Sequence, residues 1–130
     1  MNVLPMAAWV AAVELVGLAC FQVLLALGVP LGHLAWGGAY TRLPAALRVA
    51  SLASSVICAL GAILVLERTG VIIVFDRPGA VRFIVWVLTI LFGLSTIGNL
   101  TSKSKWEKRV MTPVAATLAL MCLVVSIATG

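Results

Sequence analysis

Charged residues are scarce. They make up only 10% of this 130-residue chain, against roughly 25% in a soluble domain, and that shortage excludes a water-facing globular surface. The chain has four acidic residues, one histidine and three cysteines. Cys20, Cys58 and Cys122 are far apart and show no Cys-x-x-Cys spacing, so a metal site or redox pair lacks ligands. No metal or other cofactor is expected, and the thiols read as small apolar residues. No catalytic signature stands out, and no enzyme activity is expected. The net charge of +5 does not indicate nucleic acid, because the basic residues sit in short connections beside apolar runs and meet lipid headgroups first.

What the chain has in abundance is apolar sequence, at 63% of residues. Four runs, residues 3–29, 45–66, 83–100 and 110–128, approach or exceed the roughly 20 residues a helix needs to cross a bilayer at about 1.5 Å per residue. The first run is too long for a signal-peptide core, lacks a basic flank and contains Glu14. Gly17-Leu18-Ala19-Cys20 departs from a lipoprotein cleavage box at Gly17. It therefore reads as an uncleaved helix. The expected fold is all-α, a single membrane-spanning antiparallel four-helix bundle with short loops.

Arg42, Arg48, Lys103, Lys105, Lys108 and Arg109 flank the first and third connections, against Arg68, Arg77 and Arg82 around the second. Six basic residues against three place loops 1 and 3 in the cytoplasm under the positive-inside rule, with both termini outside. The expected location is a bacterial plasma membrane. Trp9 and Trp86 then fall near one interface and Trp106 near the other, where amphipathic rings prefer to sit.

Loop 1 contains residues 28–38, GVPLGHLAWGG, in which four glycines and Pro30 break helical continuity. Irregular backbone close to lipid survives only when buried in protein or facing water. Two readings follow: the segment folds back over the end of the bundle, or it is a surface turn anchored by Trp36. Loop 2 has an apolar patch, residues 71–75, between Gly70 and the turn-like Asp76-Arg77-Pro78-Gly79, which suits a strand-like or interfacial piece. Pro113 is expected in the first turn of the fourth helix, where proline costs little.

Inside the spans, small and mildly polar residues recur at helical spacing. Ser51, Ser54, Ser55, Cys58 and Gly61 share one face, as do Thr89, Gly93, Thr96 and Asn99, and again Thr112, Ala115, Ala119, Cys122 and Ser126. Such faces mark the bundle interior, either as tight packing or as the wall of a polar path. Glu14 is the one acidic residue deep within a span, and a charge there costs at least ~2.5 kcal/mol on insertion scales. It is read as bonded to a stripe hydroxyl or as a proton carrier, with Gly17 leaving room for a neighbouring helix. Gln22 lies about 80° round the same helix from Glu14. A cluster of Gln22, Arg48 and Asn99 is one expectation, and an Arg48 that reaches out to headgroups is the other.

Glu14-Leu-Val-Gly17 resembles the Glu-x-x-Gly of small multidrug resistance transporters, four-helix proteins whose embedded glutamate exchanges protons for cationic substrates. Pro30-Leu-Gly32 and Trp36-Gly37 look similar to that family's Pro-x-Gly and Trp-Gly stretch, although in the family it belongs to the third helix and here it precedes the second. Small fluoride channels share the size and helix count, without a clear counterpart of their motifs in this chain. Taken whole, the chain resembles small uncharacterised bacterial four-helix membrane proteins, which implies a fold and no activity.

Three functions are therefore open. One is a proton-coupled transporter or export component, with Glu14 as the protonatable site, Gln22, Ser54, Ser55, Thr96 and Asn99 along the path, and Trp36 closing one end. The second is a non-catalytic accessory or scaffold protein. The third is a protein that binds a lipid-soluble ligand. Membrane lipids are expected partners, together with a second copy in a homodimer or a larger membrane partner.

Overall fold

The computed structural model describes residues 3–129. Its four long helices are α1 (Val3–Ala26), α2 (Ala45–Arg68), α3 (Pro78–Leu100) and α4 (Lys105–Ala128), and no strand occurs among the described residues. Each helix is long and apolar enough to cross a membrane. They run alternately up and down, so loops 1 and 3 share one end of the bundle and loop 2 lies at the other. The pairs α1–α2 and α3–α4 pack most extensively, α1 also packs on α4, and α2–α3 is the least extensive of the four neighbouring contacts.

Glycine ends the first two helices by the same device. After α1, the Gly28 N–H reaches the Leu25 carbonyl (3.1 Å) and the Val29 N–H reaches that of Leu24 (3.1 Å), with Gly28 at φ +90°. After α2, Gly70 (φ +80°) and Val71 bond in the same pattern to Glu67 and Leu66, at 3.0 and 3.1 Å. This is a Schellman closure, and its left-handed residue favours glycine. The apolar run continues to residue 29, but α1 stops at Ala26 because backbone conformation, not hydropathy, ends it.

Two helices begin before their apolar runs do. α3 starts at Pro78 rather than residue 83, since proline at the first helical position gives up an N–H that would be unbonded anyway. α4 starts at Lys105 rather than residue 110, because Ser104 caps it by accepting the Glu107 N–H. Pro113 consequently stands well inside α4, not in its first turn. It has no N–H to give the Arg109 carbonyl one turn back. Residues 71–75 form no strand but an irregular loop that exposes Ile73, Val74 and Phe75. The Glu67 carboxylate holds that loop by accepting the N–H groups of Phe75 (3.0 Å) and Asp76 (2.7 Å).

The main core fills the loop 2 half of the bundle. Ala7, Ala8, Ala11 and Leu15 of α1 meet Cys58, Ala62 and Val65 of α2, Val85 and Leu88 of α3, and Leu118, Cys122 and Val125 of α4. Alanine along α1 allows close backbone approach, which is how helices gain packing where lipid is as apolar as leucine. The three small-residue stripes do turn inward: Ser51, Ser55, Thr89, Ala115 and Ser126 are buried, and the Thr89 and Ser126 hydroxyls meet at 3.1 Å across α3 and α4. Gly17 instead faces outward with open space around it, so it makes no room for a helix of this bundle. A second cluster, Leu25, Ala35 and Leu43, lies at the other end under loop 1.

Candidate functional site

Between these two clusters the bundle encloses a cavity of about 440 Å³, within the roughly 300–1,000 Å³ span of small-molecule sites. All four helices and loop 1 contribute to it. Leu18, Phe21 and Gln22 come from α1, Ser54, Ile57 and Cys58 from α2, Phe92, Ser95 and Asn99 from α3, and Glu107, Met111 and Ala115 from α4. Towards loop 2, α2 and α3 touch where Gly61 packs on Leu88. Further along, the cavity lies between them. Ile57 of α2 and Leu91 of α3 line it and are 49% and 43% exposed, so the opening is lateral and faces what would be lipid.

Loop 1 forms the end wall, with Leu34, Ala35 and Trp36 on the cavity. Two short 3₁₀ turns, Gly32–Leu34 and Trp36–Gly38, build this segment, and it folds back onto the bundle as one of the two sequence readings required. Gly32 admits no side chain: a Cβ there would run into the Tyr40 carbonyl oxygen. Trp36, Gly37 and Gly38 all have positive φ, at 53°, 80° and 74°, a turn that costs little at glycine and more at tryptophan. The Trp36 indole N–H donates to the Ser51 hydroxyl at 3.0 Å.

Loop 1 is pinned to the start of α4. The Ser104 hydroxyl donates to the His33 carbonyl at 2.5 Å, the His33 ring meets Trp106 edge-on with centroids 6.3 Å apart, and the Gly37 N–H points to a Glu107 carboxylate oxygen at 3.4 Å. Ser104 and Glu107 have the spacing of a capping box, in which the glutamate side chain would return to the cap's own N–H. Here the Ser104 N–H bonds to Ser102 instead, and the Glu107 side chain turns to loop 1. Glu107 is only 7% exposed.

The sequence candidates separate into two groups. Gln22, Ser54, Asn99 and Trp36 line the cavity; Glu14, Ser55 and Thr96 are not among its lining residues. The Gln22 Oε1 is shielded and has no hydrogen-bond partner. Asn99 spends its amide on the Met111 carbonyl at 3.2 Å. The hydroxyls of Ser54 and Thr96 bond back to the carbonyls of Ala50 and Phe92, one turn earlier. Glu14 is half-buried. Its Oε1 is shielded without a partner, so the expected bond to a stripe hydroxyl does not form at that atom.

Arg48 stays outside the cavity. Its side chain donates to the Ala26 carbonyl at 2.8 Å, on the exposed side of α1's last turn, where a cation suits the helix dipole. The expected cluster of Gln22, Arg48 and Asn99 therefore loses its arginine. Glu107 is the residue that sequence reasoning missed. The signal available was Ser104-x-x-Glu107 immediately ahead of an apolar run.

Four apolar helices of membrane-crossing length define a small helical membrane protein. Compared with protein-family models, with curated proteins and with solved structures, the chain matches none.

Proposed function

We propose that this protein takes a lipid-soluble amphiphile from the bilayer into the cavity between α2 and α3. The observation that carries this reading is a cavity with mostly apolar walls, a lateral opening at Ile57 and Leu91, and a charged group, Glu107, in its lining. A molecule entering sideways keeps its apolar part in an apolar medium throughout, while its polar end finds acceptors. The test uses brominated-chain lipids in nanodiscs and the Trp36 contribution to fluorescence, taken as native protein minus Trp36→Phe. Quenching of that contribution, lost when Ser95→Phe fills the cavity, is the expected result. No quenching in the folded native protein refutes the reading.

Proton-coupled transport through Glu14 is the second reading, supported by a shielded, unpartnered carboxylate oxygen deep in α1. It requires ligand addition to release protons from the native protein and not from Glu14→Gln. For the plasma membrane of a bacterium, the six basic residues around loops 1 and 3 support a cytoplasmic position for those loops. An impermeant thiol reagent applied to whole cells then labels a cysteine placed at Arg77 and spares one placed at Lys103.

A further inference from the structure

We propose that the occupant of the cavity carries a primary or secondary ammonium head group on an apolar body, bound at Glu107; this rests on the ligand-binding reading above. Glu107 is the one charged residue that lines the cavity. It is buried, and among the described residues no Lys or Arg makes an ion pair with it. Its side chain receives a single long bond, from the Gly37 N–H at 3.4 Å. Lys103, Lys105, Lys108 and Arg109 surround it in sequence, yet all four are exposed. A buried carboxylate without a counter-charge is costly, and a bound cation removes the deficit.

Gln22 also lines the cavity, but its Oε1 is shielded and is not presented to an occupant, so the Glu107 carboxylate selects the head group. An ammonium with N–H groups donates to that carboxylate and neutralises it; an alcohol has one donor and no charge; a carboxylate is repelled by Glu107. A quaternary ammonium has the charge but no N–H to donate. Trp36 on the end wall adds an aromatic face that favours cations. The exposed lysines do not bar entry, because they sit in the screened headgroup and solvent region while the opening lies between α2 and α3.

The experiment loads the full chain in zwitterionic nanodiscs with dodecylamine, dodecanol, dodecanoate or dodecyltrimethylammonium, and counts bound molecules by native mass spectrometry against mole fraction. Dodecylamine is expected to saturate at one per chain at a mole fraction at least tenfold below the other three. Glu107→Gln should remove that preference. If Glu107→Gln loses its helical circular dichroism, Glu107→Asp decides: it keeps the charge and withdraws the carboxylate, with at least fivefold weaker dodecylamine binding expected. Equal or tighter binding of any of the other probes, or no effect of the variant that folds, overturns the ammonium assignment while leaving the cavity reading in place. Retention of none of the four overturns the cavity reading itself.

Discussion

Removal of the Ser104 hydroxyl should loosen loop 1 and destabilise the bundle by an amount that can be divided into two parts. Ser104 caps α4 by accepting the Glu107 N–H at 3.3 Å and ties loop 1 down by donating to the His33 carbonyl at 2.5 Å. Loss of a serine cap to alanine costs about 0.5–2 kcal/mol, and loss of one net hydrogen bond costs about 0.5–1.5 kcal/mol. Ser104→Ala should therefore cost about 1–3.5 kcal/mol in all. Ser104→Gly separates the two parts, because glycine at a cap costs only a few tenths of a kcal/mol relative to serine. That variant should lose roughly the loop bond alone, about 0.5–1.5 kcal/mol. Equilibrium unfolding in mixed micelles measures both totals. Hydrogen exchange adds a local readout: the Gly38 N–H, bonded to the Ala35 carbonyl at 2.8 Å, should exchange faster in both variants, while the Thr89 region of the core should change only as much as global stability does. A Ser104→Ala protein within about 0.5 kcal/mol of native, with unchanged exchange in loop 1, would refute the view that Ser104 holds the end wall of the cavity.

Gly32→Ala drives a Cβ into the backbone of Tyr40, which has no side-chain freedom to yield, and should cost about 3 kcal/mol, the upper end for overpacking, read by the same unfolding assay. Gly17→Ala meets nothing and should stabilise α1 by up to about 1 kcal/mol; destabilisation would show that Gly17 is covered by another chain. A double-mutant cycle on Thr89→Val and Ser126→Ala, whose hydroxyls are 3.1 Å apart, should give a coupling of about 0.6 kcal/mol, the mean for interhelical bonds in membranes, and a value of zero would remove that bond from the account.

Hydropathy alone made the existence, number and alternation of the helices legible, because a bilayer admits few other solutions for four long apolar runs. Small-residue spacing likewise marked the buried faces of α2, α3 and α4. Helix ends were less legible from hydropathy: Gly28 and Pro78 set them through backbone geometry and Ser104 through its side-chain cap, and two of the three lie outside the apolar runs. The polar residues were hardest to place. Periodicity puts Gln22 and Glu14 on one broad face of α1, but lining the cavity also depends on depth and on which neighbour stands opposite.

The sequence by itself determined a membrane bundle, its antiparallel order and an irregular first loop, since each follows from local chain physics. Tertiary structure alone decided that loop 1 closes over α4, that Arg48 serves the end of α1, and that Glu107 rather than Glu14 lines the cavity. Those outcomes depend on contacts between residues as far apart as 37 and 107. No local pattern encodes how four helices and loop 1 come to line one cavity.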